Sequence, residues 1–193
     1  MKRLLIVVGV SAAVAVAIVT TATAQTSGTI VLRGADSQNL APFKLSKDAD
    51  VLWSCPGCGA SNFILSTDSD IPVNALNHTH GTSFLAKGRY TGVNVIGTGS
   101  WKITLRPAAK RPVARSYVLT GVDSQNLRPF TLTHDSKLSW SCPGCRASNF
   151  IVSTSEDIPV NALNRTSGSS FMSKGRYTSV SVTATGNWRI VIR

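Results

Sequence analysis

The chain has 193 residues, with 20 Lys or Arg against 9 Asp or Glu, so its formal net charge is +11. This strongly basic balance favours anionic surfaces over anionic small molecules as partners. Glu156 is the only glutamate, and the sequence contains no paired glutamates, no Ser/His/Asp order and no Gly-rich phosphate loop. These features argue against an enzyme, and no specific nucleic-acid motif occurs.

The amino-terminal segment, 1–24, has the pattern of a signal peptide. Lys2 and Arg3 precede an apolar run from Leu4 to Val19, and small residues follow at 21–24. A retained membrane anchor is the alternative, but the run is shorter than the roughly 20 apolar residues of a transmembrane helix. We therefore expect cleavage before Gln25 and no transmembrane segment afterwards. The mature protein should be secreted, periplasmic or attached to the cell surface.

The rest of the chain is an internal duplication. The segment 29–106 aligns without gaps onto 116–193 at a constant offset of 87 residues, with 49 of 78 positions identical. Between the copies, residues 107–115 contain two prolines and three cations, which is typical of an extended linker. The sequence thus predicts a repeat at 25–106, a basic linker at 107–115 and a second repeat at 116–193.

Each copy reads as a series of β-strands. In Trp101–Arg106, apolar side chains alternate with polar ones, which is the period of a half-buried strand. About seven such segments per copy, separated by turn residues, predict two small antiparallel β-sandwiches of jelly-roll type. We expect the large aromatic side chains to fill the core rather than to form a sugar-stacking platform: Trp53, Phe63, Phe84, Tyr90 and Trp101.

Each copy also carries a Cys-Pro-Gly-Cys loop. In an exported protein, Cys55 with Cys58 and Cys142 with Cys145 should form two local disulfides. Pro and Gly at the central positions predict a type II turn stapling a hairpin. Two alternatives remain open at this point. The four thiolates could jointly bind zinc between the domains, or each pair could be a redox-active dithiol.

Other polar motifs are weaker. His78 and His80 are not repeated as histidines in the second copy, so surface variation explains them better than a metal site. The repeated Asp-Ser-Gln-Asn segments fit turns at least as well as calcium ligands. No metal or cofactor is predicted. Asn77 and Asn164 lie in glycosylation sequons, whose use depends on the source of the protein.

The Gly88-Arg-Tyr and Gly99-Ser-Trp segments, with Gly175 and Trp188 in the second copy, resemble a family of secreted bacterial β-sandwich modules. The strands that begin Ser-Asn-Phe at Ser61 and Ser148 are similar as well. These modules are the jelly-roll domains of the pre-peptidase C-terminal type, found beside exported peptidases. The resemblance implies an accessory or binding role and assigns no binding residues. The Cys-Pro-Gly-Cys loop is not typical of the family.

The sequence favours a secreted, non-enzymatic binding or surface-associated protein. Two similar domains could engage an anionic polysaccharide or the cell envelope bivalently, and carbohydrate binding is part of this hypothesis. A structural envelope or matrix component without a discrete ligand is the alternative, followed by the zinc or redox protein. The candidate contacts to an anionic ligand are eight cations of the linker and second copy: Arg106, Lys110, Arg111, Arg115, Arg128, Arg146, Arg165 and Arg176.

Overall fold

Short antiparallel strands provide nearly all of the regular structure, which confirms the predicted all-β class. The structure is a computed structural model that describes residues 28–111 and 113–193. The predicted signal peptide, residues 1–24, lies outside the described residues. Within the described residues, no helix has the length and apolar character needed to cross a bilayer.

In the first half, the described residues from 28 onward form ten strands and one short 3-10 helix. The strands are β1 (Ile30–Ala35), β2 (Gln38–Leu40), β3 (Phe43–Leu45), β4 (Ala49–Ser54), β5 (Asn62–Ser66), β6 (Val73–Leu76), β7 (His80–Leu85), β8 (Gly88–Tyr90), β9 (Val93–Ile96) and β10 (Ser100–Pro107), and the 3-10 helix is Pro56–Ala60.

The second half repeats this series. Its strands are β11 (Tyr117–Val122), β12 (Ser124–Leu127), β13 (Phe130–Leu132), β14 (Ser136–Ser141), β15 (Asn149–Thr154), β16 (Val160–Leu163), β17 (Ser167–Met172), β18 (Gly175–Tyr177), β19 (Val180–Thr183) and β20 (Asn187–Ile192), and its 3-10 helix is Pro143–Ala147.

In each half, two antiparallel layers have the strand order of a jelly roll. The layers of the first half are β1-β10-β4-β7 and β2-β9-β5-β6, with β3 and β8 forming a small separate pair. The second half has the corresponding orders β11-β20-β14-β17 and β12-β19-β15-β16. The number of strands exceeds the predicted seven partly because Pro42, which has no backbone N–H to donate, lies between β2 and β3.

A separate hydrophobic core fills each half. Trp53 stacks on Phe63 with ring centroids 4.6 Å apart, and Trp140 stacks on Phe150 at the same distance. Four of the five aromatic residues predicted for the first core belong to it. Phe84 does not: it is buried, but outside this core, at the junction with the second half. Side chains alternate between the two faces of β7, and Phe84 lies on the face that points away from the first core. The second half covers that face.

The two halves share one sheet. β6 of the first half pairs antiparallel with β12 of the second, with Asn74 opposite Ser124 and Val73 opposite Gln125. This pairing joins two four-stranded layers into an eight-stranded sheet with β16 and β2 at its ends. The linker is held at both ends, because Ala108 N–H donates to Asp48 O at 2.8 Å and Ala114 forms a bridge with Leu132.

The Cys-Pro-Gly-Cys loops form local disulfides as predicted, but their geometry differs from the prediction. The turn is a 3-10 helix in which Cys58 N–H donates to Cys55 O at 3.0 Å. A type II turn needs a positive φ at Gly57, and no such angle is present there. The loop also does not close a hairpin, because β4 and β5 belong to different layers. Each disulfide therefore lies where the chain crosses between the layers.

Close packing explains the glycine of this loop. A Cβ on Gly57 would lie 2.2 Å from Thr98 O, and one on Gly144 would lie 2.2 Å from Thr185 O. Real side chains do not approach a backbone oxygen so closely. The glycine is thus required because another loop passes directly over it.

Candidate anion-binding cleft

An ion pair fixes the junction beside the shared strands. Arg128, which follows β12, donates from Nε to one carboxylate oxygen of Asp50 and from Nη2 to the other. Asp50 points outward from β4, and its side chain is 13% exposed. Such a bidentate contact fixes the orientation of the guanidinium as well as its distance from the carboxylate.

Hydrogen bonds accepted by Asp123 extend the junction at the other end of β12. Its Oδ1 accepts Gly186 N–H at 2.6 Å within the second half. Its Oδ2 accepts Leu76 N–H at 3.0 Å and lies 2.7 Å from His78 Nδ1, both in the first half. The Asp-Ser-Gln-Asn segment of the second half thus serves a turn and the junction, and that of the first half serves a turn. Asp36 and Asp123 both have a positive φ, as Asp in such turns can.

A cleft of about 430 Å³ opens between the halves, next to this ion pair. Phe84 of the first half and Phe130 of the second supply its apolar wall. Four cations line it: Lys110, Arg111, Arg128 and Arg176. Two come from the linker, one follows β12 and one lies on β18, so residues far apart in sequence meet around a single space.

The electrostatics of the cleft are dominated by its positive groups. Burial lowers the pKa of Arg111 below its usual value, and the charge of Arg128 lowers it further. Nearby acidic groups offset the cations only in part. Asp50 is paired with Arg128, and Asp48, whose Oδ1 accepts the backbone N–H of Lys87 at 2.9 Å, also lines the cleft, so two carboxylates stand against four cations. An anionic group entering here would relieve the repulsion between the guanidinium groups.

Tyr117 holds the end of the linker in position near the cleft. Its hydroxyl donates to Thr131 O at 2.9 Å and accepts Ala114 N–H at 3.0 Å. Thr131 itself lines the cleft. The wall formed by the linker is therefore tied to the sheet of the second half.

The other four predicted cations do not line the cleft. Arg106 is exposed and faces Asp50 across the β10–β4 pair, and Arg115 is exposed at the end of the linker. Arg146 and Arg165 are exposed at the disulfide-bearing end of the second half. That end is separated from the cleft by the length of β14, about 20 Å for six residues. The eight cations thus do not form one patch, and four of them form the cleft.

The sequence did not indicate the acidic and apolar members of the junction. Asp50 and Phe84 occupy outward positions of ordinary strands, and their partners lie 78 and more than 40 residues away. The sequence did contain one signal for this ion pair, which is that both of its positions carry different residues in the two copies. The counterparts of Asp50 and Arg128 at the 87-residue offset are Lys137 and Ala41, so both members of the pair change together.

The cysteines are poor candidates for metal binding or redox chemistry. All four are fully buried, and each pair is closed within its own half. With the sulfurs in disulfides, no thiolate of these cysteines is available for the joint zinc site, so that alternative is set aside. The described residues, 28–111 and 113–193, also contain no group of three or more His, Cys, Asp or Glu side chains placed to hold a metal.

The sequence matches no protein-family model and no curated protein. Among solved structures, the chain is similar to PA5104 of Pseudomonas aeruginosa PAO1, a conserved protein of unknown function, with 11% identity, 86% of this chain and 78% of that one covered, and a TM-score of 0.30. YhaK of Escherichia coli is 9% identical, with 85% of this chain and 82% of that one covered and a TM-score of 0.30. HutD of Pseudomonas fluorescens SBW25 is 12% identical, with 89% of this chain and 84% of that one covered and a TM-score of 0.29. These likenesses carry no functional argument, and the resemblance to pre-peptidase C-terminal domains stays a prediction.

Proposed function

We propose that this is an exported, non-enzymatic binding protein that holds anionic groups of an extracellular polymer in the cleft between its two halves. The observation that carries the proposal is the meeting of Lys110, Arg111, Arg128 and Arg176 around one cleft. Guanidinium groups match carboxylate, sulfate and phosphate in shape as well as in charge. The partly apolar walls have a low dielectric constant and so focus the field of the cations within the cleft.

The two disulfides support an extracytoplasmic location, because such bonds persist in oxidising compartments. Export through the amino-terminal segment is part of the proposal. A polysaccharide or a cell-envelope polymer that carries regularly spaced anions is the ligand class that suits a cationic cleft open to solvent.

The two halves contribute unequally to the proposed site. Arg176 has a counterpart in Arg89, but the counterpart of Arg128 is Ala41, and the linker has no second copy. In the proposal the main site is therefore single in each chain, and the predicted bivalent engagement would use Arg89 and its neighbours as a weaker second contact.

A binding experiment with matched variants tests the proposal. The mature protein is titrated with polygalacturonate, with dextran sulfate and with neutral dextran at two salt concentrations. The cleft variant K110A/R111A/R176A is compared with R33A/K102A/R146A, which removes the same charge from exposed positions outside the cleft.

We expect at least one of the two anionic polymers to bind, and the cleft variant to lose at least about tenfold in affinity with a smaller dependence on salt. The matched variant should lose much less. Equal losses in the two variants would show that binding follows net charge alone, and a lack of binding to both anionic polymers would contradict the proposal.

A further inference from the structure

The junction between the halves joins two different surfaces. The first half contributes the β6 surface, defined here as β6 with Asp70, His78, Ser83 and Phe84. The second half contributes the β12 surface, defined as Asp123 with β12. Because the surfaces differ, the contact is heterologous, and such a contact leaves one unused surface of each kind at the two ends.

Both unused surfaces are present and nearly unchanged. At the 87-residue offset, β16 has the same sequence as β6, Val-Asn-Ala-Leu, and residues 37–40 have the same sequence as β12, Ser-Gln-Asn-Leu. These segments form the two ends of the eight-stranded sheet, where, among residues 28–111 and 113–193, β16 pairs only with β15 and β2 only with β9. We call them the β16 surface and the β2 surface.

The side chains that bond across the junction also recur. Asn126 N–H donates to Ser83 Oγ at 3.1 Å, and the Asn126 amide donates to Asp70. The counterparts of Ser83 and Asp70 are Ser170 and Asp157, and that of Asn126 is Asn39 on the β2 surface. Every one of these donors and acceptors is therefore available a second time.

At the second pair of surfaces, an ion pair would take the place of the His78–Asp123 contact. Asp36 is the counterpart of Asp123 and is exposed, whereas Asp123 is 2% exposed. The counterpart of His78 is Arg165, whose guanidinium is always charged. An Arg165–Asp36 contact would thus be a full ion pair. Arg165 is one of the four predicted cations that do not line the cleft.

Burial shows most directly that the second pair of surfaces is uncovered. Phe84 is 5% exposed because the second half lies on it, while its counterpart Phe171 is 56% exposed. Leu163 on β16 is 65% exposed, against 48% for its counterpart Leu76 on β6. Natural sheet edges are commonly protected by charges or bulges, but neither β16 nor β2 contains a charged residue.

We propose that copies of this chain associate head to tail, with the β16 surface of one copy pairing with the β2 surface of the next and continuing the sheet. Asn161 would lie opposite Ser37 and Val160 opposite Gln38, as Asn74 and Val73 lie opposite Ser124 and Gln125. Repetition of one heterologous contact gives a filament, or a ring if the rotation closes.

This contact is weaker than the internal junction. The pair Asp50–Arg128 is replaced by Lys137 and Ala41, which neither attract nor repel each other, and no linker joins separate copies. A short linker gives tethered modules an effective concentration in the millimolar range. Association between copies should therefore be reversible and should depend on protein concentration.

Sedimentation of the mature protein at increasing concentration, up to the millimolar range, tests the proposal. F171K blocks the β16 surface at an exposed side chain. N39E blocks the β2 surface by placing a carboxylate against Asp157. V118K is the matched control, since Val118 is an exposed apolar residue, at 57%, on β11 at the opposite edge of the same layer as Phe171.

We expect the average mass of wild type and V118K to rise beyond that of a dimer, while F171K and N39E each remain monomeric. A mixture of F171K and N39E should form a dimer and nothing larger, because each variant retains the surface that the other lacks. A wild type that stays monomeric throughout, self-association of F171K equal to that of wild type, or failure of the mixture to dimerise would overturn the proposal. These measurements contain no polymer, so their outcome is independent of the proposed function.

Discussion

Arg128 and Asp50 form a bidentate ion pair that joins the two halves of the chain beside the paired strands β6 and β12. The pair also sets the charge of the cleft, since Asp50 neutralises one of its four cations. Stability and anion binding should therefore respond in opposite directions to the removal of Asp50.

Replacing Asp50 with Asn should lower the free energy of unfolding by about 1 kcal/mol. The value is modest because the Arg128 side chain is 37% exposed and solvent screens the pair. The same variant should bind an anionic polymer more tightly than wild type, because Arg128 becomes free. Denaturant unfolding and polymer titration measure the two effects. R128A is the control and should lose both stability and affinity, whereas weaker polymer binding by D50N would contradict this account.

Gly57→Ala should destabilise the first half by about 2 kcal/mol or more, because the new Cβ would be forced against Thr98 O. Gly59→Ala in the same 3-10 helix is the matched control. Its Cβ would meet nothing closer than 3.5 Å, and the second half carries Arg146 at that position. Thermal or denaturant unfolding compares the two variants. Equal stability of G57A and G59A would refute the close approach.

Removing either disulfide should cost about 2 kcal/mol, the loop-entropy value for so short a ring. C55A/C58A and C142A/C145A should lose similar amounts, since both bonds occupy the same place between layers. Denaturant unfolding gives the loss. The mass of the intact wild-type protein without reductant should be four hydrogens below that of the reduced chain. Thiols that react with an alkylating reagent in the unreduced, denatured protein would contradict the pairing.

Stability should fall in alkaline solution as Tyr90 ionises. Burial, followed by the charges of Asp70, Asp48 and Asp68, raises the pKa of Tyr90 to about 12. In the unfolded chain this phenol ionises near its usual pKa of about 10. The contribution is thus complete below pH 10 and is lost as pH rises from about 10 to 12, because the unfolded state releases its proton first.

The loss over this range should be about 2 kcal/mol, measured as the pH dependence of unfolding free energy. Tyr90→Phe should flatten that dependence, although it also removes the hydrogen bond from the Tyr90 hydroxyl to Ala86 O, 2.6 Å long, and so lowers stability at neutral pH. Tyr177→Phe is the matched comparison in the second half. An unchanged alkaline slope in Y90F would rule out this tyrosine as the source.

The copies of the repeat reveal which properties are local. Alternation of apolar and polar residues, turn residues and cysteine spacing all act within a few residues of one another, so the all-β class, the inward aromatic residues and the two disulfides were predictable. The turn inside the Cys-Pro-Gly-Cys loop was predicted wrongly, because Gly57 is required by its contact with Thr98, in a distant loop of the same half, and not by its own φ angle.

By itself, the sequence determined two copies of one sheet-forming unit, each with its own core and its own local disulfide. Only the tertiary structure decided which outward faces meet, because β6 and β12 are no different in pattern from β16 and β2. The relative placement of the halves buries Phe84 and leaves Phe171 exposed, pairs Arg128 with Asp50, and gathers four of eight scattered cations. Contacts between these faces depend on which residues come close in space. The local periodicity of the sequence carries no information about that distance.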